Sequence, residues 1–149
     1  MSILDIFSNH LLINAVISWA IAQVLKTIIY AIVNKTLDLK RIVGDGGMPS
    51  GHSATVTCLA ITAALEYGFD SPVFAIAGVL AIIVMHDAMG VRLEAGKHAK
   101  LLNELWETVM SELNKDVSTE ERLKEFLGHT PSQVVCGALL GLVVALILG

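Results

Sequence analysis

LLINAVISWAIAQVLKTIIYAIV, residues 11–33, carries a single charge, Lys26, and its reading decides the class of fold. An apolar run of this length crosses the ~30 Å of a bilayer's hydrocarbon as a helix. No water is present there to pair backbone N–H and C=O groups, so the run must satisfy them internally, as a helix does. Three comparable runs follow, at 53–69, 72–91 and 132–148. The sequence therefore predicts an all-α integral membrane bundle of four transmembrane helices, folded as one domain over 1–149.

Composition agrees. The 149 residues are 54% hydrophobic and only 16% charged, against about 25% charged in soluble domains. Small residues recur in the later runs (Ala60, Ala63, Ala64; Ala75, Ala77, Gly78, Ala81; Gly137, Ala138, Gly141) and allow close helix–helix approach. Gly137 and Gly141 form a GxxxG, which also makes a homo-oligomer an option. Cys58 and Cys136 lie in apolar stretches and read as packed thiols. The N-terminus has no basic flank or small-residue cleavage site before its first run, so that run is expected to be retained.

One long polar segment, 92–128, separates the third run from the fourth. Leu101, Leu102, Leu105, Val109 and Leu113 recur in it at helical spacing, predicting an amphipathic helix on the membrane surface or over the bundle. Ser118 and Glu121 resemble a capping box that opens a short helix ending near Gly128. All ten basic residues (Lys26, Lys35, Lys40, Arg41, Arg92, Lys97, Lys100, Lys115, Arg122 and Lys124) fall in the first run or on one side of a four-span threading. The positive-inside rule makes that side cytoplasmic. The expectation is a plasma (inner) membrane protein with both termini on the opposite side.

Chemistry-bearing residues gather on the basic side. Gly46-Gly47-Met48-Pro49-Ser50-Gly51-His52-Ser53 precedes the second run. Glycines let the backbone approach an anion, Ser50 can cap the coming helix, and the helix N-terminus offers unpaired N–H groups. His52 adds an acid–base group that titrates near neutral pH. The plain alternative is a glycine-rich turn with a surface histidine. Gly128-His129-Thr130-Pro131-Ser132 repeats the arrangement before the fourth run, with Thr130 as N-cap and Pro131 at the first helical position. Two histidines at two helix N-termini are what nucleophilic phosphoryl transfer needs, one attacking phosphorus and one protonating the leaving oxygen.

His86, Asp87 and Arg92 close the third run on the same side. Asp87 can orient a histidine, pair with Lys26 or Arg92, or bind a cation; a structural ion pair is the simpler reading. Lys26 either snorkels to the interface or meets a substrate phosphate. Arg41 and Arg92 are candidate phosphate clamps, because guanidinium matches phosphate in a bidentate way. There is no GxxxxGK[ST], no GxGxxG after a strand and no CxxC pair. No cofactor is expected. Nucleic acid is not an expected partner, since the basic residues are interleaved with acids and adjoin the spans.

Taken together, Met48-Pro49-Ser50-Gly51-His52-Ser53, Asp87-Ala88-Met89-Gly90-Val91-Arg92 and Leu127-Gly128-His129-Thr130-Pro131 resemble a divergent, small branch of the type 2 phosphatidic acid phosphatase superfamily, which includes the vanadium haloperoxidases. The resemblance implies metal-independent hydrolysis of a phosphomonoester or pyrophosphate through a phosphohistidine. It makes His52 the general acid, with Ser50, Gly51 and Gly47 near the phosphate. The superfamily's last motif reads Ser-Arg, five residues, His, three residues, Asp. Arg92 and His98 keep that spacing, with Val91 for Ser and Leu102 for Asp. His129 keeps the place at the start of the last span, with Gln133 at plus four and Leu123 where Arg would stand. His129 is the preferred nucleophile and His98 its rival. The first motif is absent in strict form, with Lys26, Lys35 or Arg41 as substitutes.

The expected function is a membrane phosphatase acting at the cytoplasmic face on a lipid phosphate or pyrophosphate, with membrane lipids as its surroundings. The alternatives are a non-catalytic lipid-phosphate binder or transport component, and a metal-dependent variant in which Asp87 helps to hold Mg²⁺.

Overall fold

The computed structural model describes residues 3–36, 46–113, 123 and 128–149. After a short 3-10 turn at Ile3–Ser8 come five helices: α1 His10–Asn34, α2 Gly51–Tyr67, α3 Pro72–Met89, α4 Val91–Glu112 and α5 Pro131–Leu148. The described residues contain no strand. Among the described residues, three stretches are long and apolar enough to cross a membrane: His10–Asn34, Pro72–Glu112 (the α3–α4 stretch) and Pro131–Leu148.

The expected second span is α2, which has 17 residues. At 1.5 Å per residue it reaches about 25 Å, shorter than its neighbours. It begins two residues before the apolar run because Ser50 caps it, its Oγ accepting from Ser53 N at 3.3 Å. It stops at Gly68, whose φ of +88° L side chains rarely adopt. The third expected span breaks earlier than the apolar run does. Gly90 ends α3 and α4 starts at Val91. The Ser118–Glu121 capping box and the site candidate Arg41 lie outside the described residues.

The bundle is built around α2, which packs against α1, α3 and α5. Among the described residues α1 and α3 do not pack against each other. They flank α2 and leave a cleft above it. The α2–α5 seam is the tightest, and glycine makes it so. A Cβ on Gly137 would collide with the Ser50 carbonyl oxygen, and one on Gly141 with that of Ala54. The GxxxG of the sequence is thus used inside the chain, letting two helix backbones meet.

The bundle is apolar outside, and its interior mixes small apolar side chains with polar ones. Val24, Ile28 and Ile32 of α1, Ile76, Val79 and Ile83 of α3, and Leu139, Val143 and Leu146 of α5 face outward. Asn14, Ser18, Gln23, Lys26, Thr27 and Thr62 are buried. Water would reverse that arrangement; hydrocarbon favours it, since polar groups there must find partners within the protein. In α4 the buried face is Gly96, Ala99 and Asn103. Its larger side chains, Leu101, Leu102, Leu105, Trp106, Val109 and Leu113, are exposed.

Candidate functional site

The site is formed where the N-termini of α2 and α5 meet. Ser50 N donates to Gln133 O at 3.0 Å, tying the start of α2 to the first turn of α5. Ser53 Oγ donates to Ser50 Oγ at 3.1 Å, and both serines are fully buried. Ser50, expected at a phosphate, is therefore occupied with capping and with this joint. On the other side His129 N donates to Ala88 O at 3.0 Å, using one of the last carbonyls of α3. A Cβ on Gly128 would strike the backbone of Leu93, so glycine lets this segment lie against the first turn of α4.

These joints bring His52 and His129 together, although 77 positions separate them in the chain. His52 Nδ1 and His129 Nε2 lie 3.4 Å apart, with the rings edge to face at 67°. His129 is only 2% exposed. Its Nδ1 sits 3.3 Å from Gln133 Oε1, which also accepts from Thr130 N at 3.1 Å. A carbonyl oxygen can only accept, so the proton of neutral His129 resides on Nδ1 and Nε2 presents a lone pair. His52 Nδ1 is then the donor in the pair. Gln133 occupies the plus-four place where the superfamily motif has Asp, and it holds the ring in one tautomer without a negative charge.

The charge state of His129 follows from its surroundings. Burial pushes its pKa below the ordinary 6.5, the hydrogen bond to Gln133 pulls it partly back, and the positive charges of His52 and Lys26 lower it further. A weaker upward pull comes from the Gly47 backbone. The balance keeps His129 neutral at pH 7, the form a nucleophile requires.

Both histidines open on a cavity of about 410 Å³ lined by Trp19, Gln23, Lys26, Gly51, His52, Thr55, Val56, Val84 and His129. It occupies the cleft between α1 and α3, with α2 as its floor. Lys26 is 4% exposed, so it is held inside the bundle rather than snorkelling to open water. Gly47, at φ +88°, lies against its side chain, and a Cβ there would press on Lys26 Cδ at 2.9 Å. A smaller cavity of about 160 Å³ lies beyond Lys26, between α1 and the Gly47–Met48 turn.

Other candidates are placed elsewhere. His98 is exposed on α4 and does not line the cavity. Asp87 Oδ2 accepts from Arg92 Nε at 2.9 Å across the α3–α4 junction, each side chain about half exposed, and neither lines the cavity. Among the described residues no three His, Cys, Asp or Glu side chains converge as a metal site would. The cavity also draws in residues that the sequence analysis passed over: Trp19, Gln23, Thr55, Val56 and Val84. Trp19, Gln23 and Lys26 stand at i, i+4 and i+7 of one helix face. That spacing, with a Gln and a Lys inside an apolar run, was the signal available for finding them.

Lipid-facing helices and a histidine pair at two helix N-termini, one ring buried and the other half-buried, fit a membrane protein of the phosphatidic acid phosphatase-related class. The chain belongs to the Divergent PAP2 family, whose family model matches residues 7–144. It is 37% identical to the uncharacterized membrane protein YuiD of Bacillus subtilis (strain 168), over 97% of each chain. No solved structure matches it.

Proposed function

We propose that this protein is a membrane-embedded phosphatase that hydrolyses a lipid phosphate or pyrophosphate, with His129 as nucleophile and His52 as general acid. The observation that carries the reading is the His52–His129 pair at 3.4 Å on the cavity wall. In the first step His129 Nε2, released from its contact with His52, bonds to phosphorus while the P–O ester bond breaks and His52, as the imidazolium, gives a proton to the leaving oxygen. In the second, His52 takes a proton from water as that water attacks phosphorus. The P–N bond breaks, inorganic phosphate leaves, and neutral His129 and the His52 imidazolium are restored. Lys26 and the N-terminal N–H groups of α2 offset phosphate charge in a site mostly shielded from water, where such contacts count for more.

A lipid substrate fits the cleft. Its wall turns from charged at Lys26 to apolar at Trp19, Val56 and Val84. Because α1 and α3 do not pack together, a hydrocarbon tail can leave sideways between them into the bilayer. The reading includes four crossings, with α2 as the short central one, the site on the cytoplasmic face of the plasma membrane and both termini opposite. The exposed apolar face of α4 then rests on the bilayer surface with Trp106 at the headgroups.

Gln133 favours a second reading. A neutral amide in the orienting place stabilises a phosphohistidine less than a carboxylate does, which suits a lipid-phosphate binder without turnover. Phosphate release by purified protein from phosphatidic acid, phosphatidylglycerophosphate and prenyl phosphates, with and without EDTA and vanadate, separates the possibilities. The phosphatase reading expects release that persists in EDTA, is inhibited by vanadate and is lost in His52→Ala and His129→Ala. Saturable lipid-phosphate binding without release selects the binder. Release abolished by EDTA and restored by Mg²⁺ selects a metal-dependent reaction.

A further inference from the structure

The spacing of the two site histidines fits more than a shared proton. Tetrahedral zinc bonds imidazole nitrogen at about 2.0–2.1 Å, which sets two such nitrogens about 3.3–3.4 Å apart on one ion. His52 Nδ1 and His129 Nε2 stand 3.4 Å apart. A metal-ligating histidine characteristically donates its other ring N–H to an oxygen that fixes its tautomer. Gln133 Oε1, 3.3 Å from His129 Nδ1, fills that place. His129 Nε2 thereby presents a lone pair from a ring that is buried and held in one orientation. Both rings line the cavity of about 410 Å³, so an ion and its waters have room beside them.

We propose that His52 and His129 form a two-histidine site for a borderline-soft divalent cation, with Zn²⁺ the best fit, bound through His52 Nδ1 and His129 Nε2. This site goes beyond the proposed reaction and does not rest on it. The ion takes the place of the proton between the two nitrogens. That proton passes to solvent, a tilt of the rings turns both lone pairs on the metal, and two N–Zn bonds replace one hydrogen bond. Among the described residues no third His, Cys, Asp or Glu joins the pair, so two positions of the tetrahedron stay open to water on the cavity side. Imidazole suits Zn²⁺, Cu²⁺ and Ni²⁺, whereas Mg²⁺ and Ca²⁺ take oxygen ligands and do not fit. Lys26 lines the same cavity and opposes a cation there. With two protein ligands and that charge nearby, binding is reversible. While it lasts His129 Nε2 has no lone pair for phosphorus, so the bound ion acts as a brake.

The test titrates ZnCl₂, and separately MgCl₂, into detergent-solubilised protein that has been stripped with EDTA and dialysed, with calorimetry as the readout. The proposal expects one Zn²⁺ per chain and no binding of Mg²⁺. His52→Ala and His129→Ala should each abolish saturable binding. His10→Ala, His86→Ala and His98→Ala, at exposed histidines outside the cavity, should leave it unchanged. Gln133 supplies a signed check that a damaged fold does not imitate. Gln133→Glu puts a carboxylate behind His129 and should tighten Zn²⁺ about tenfold, while Gln133→Leu should weaken it about ten- to a hundredfold. No saturable binding by wild type, binding that survives His52→Ala, or one affinity shared by both Gln133 variants overturns the proposal. Where wild type releases phosphate, saturating Zn²⁺ should halt the release and EDTA should restore it; undiminished release overturns the brake. Absence of release from metal-free wild type would overturn the phosphatase reading alone, since zinc binding is measured without substrate.

Discussion

Two histidine contacts of nearly equal length stand at opposite ends of α2. At its C-terminal end His10 Nδ1 lies 3.2 Å from Glu66 Oε1, with side chains 72% and 27% exposed. At its N-terminal end His52 Nδ1 lies 3.4 Å from His129 Nε2, and His129 is 2% exposed. The distances alone do not separate them. Water does: an exposed pair is screened and contributes about 0–1 kcal/mol, whereas a pair with one ring buried has that ring's tautomer, charge state and orientation set by the protein. The proposed chemistry is placed at the end where helix N-termini, a lysine and a cavity surround the imidazoles.

The sharpest way to break this comparison is to remove each histidine in turn and measure phosphate release. His129→Ala and His52→Ala should each lose activity by at least about a hundredfold, while His10→Ala should stay within about twofold. A His10→Ala protein as inactive as the other two would erase the distinction between the ends.

The next effect is on folding, because the buried pair exists only while α2 and α5 touch. Gly141→Leu drives a side chain into the Ala54 carbonyl, and overpacking of this kind costs about 1–3 kcal/mol or more. Its Tm in detergent should fall by several degrees. Gly78 of α3 has no atom within 4 Å of an added Cβ, so Gly78→Ala should be neutral or stabilising by up to about 1 kcal/mol, through helix propensity. Equal effects at both glycines would mean that the α2–α5 seam does not hold the site.

Acid provides a third and smaller test. His129 titrates below the ordinary 6.5 because burial disfavours its cation. In the unfolded chain the ring takes up a proton near 6.5, while in the folded protein it resists until lower pH. The fold's stability from this group is therefore full above about 6.5 and is lost as pH falls through the folded value. Activity should hold to a more acidic pH than a free imidazole would allow, and His129→Gln should flatten the acid limb of the stability profile. An acid limb centred above 6.5 would contradict the burial argument.

The smallest expected effect is at the Asp87–Arg92 pair, whose two partners are each about half exposed. Asp87→Asn should change stability by no more than about 1 kcal/mol and leave phosphate release within a few-fold of wild type. A loss comparable to that of His52→Ala would bring Asp87 into the catalytic machinery.

Much of the architecture was legible because it rests on local chemistry. Lipid forces unpaired backbone groups into helices, so the apolar runs around Lys26, before His86 and after Pro131 became α1, α3 and α5. Capping residues placed the helix starts at Ser50 and Thr130 within a residue or two. The length of α2 was legible but its register was not: the run 53–69 and the helix Gly51–Tyr67 each have 17 residues, offset by two because Ser50 caps the start. Of the site, the two glycine-flanked histidines and Lys26 stood out as titratable groups beside apolar runs. Gln23 and Trp19 did not, because a glutamine and a tryptophan in a span look like ordinary helix residues until something packs opposite them.

The sequence by itself determined that this chain is a helical membrane protein and which of its ends carries the titratable groups. Both follow from the free energy of moving each side chain and peptide group between water and hydrocarbon, a property of short stretches. Only the tertiary structure decided which histidine stands beside His52, that Asp87 turns to Arg92, and that Gln23 lines the same cavity as Lys26. Those outcomes depend on where two helix backbones make contact, and Gly137 and Gly141 fix that contact 87 residues away in the chain from the Ser50 and Ala54 carbonyls they meet.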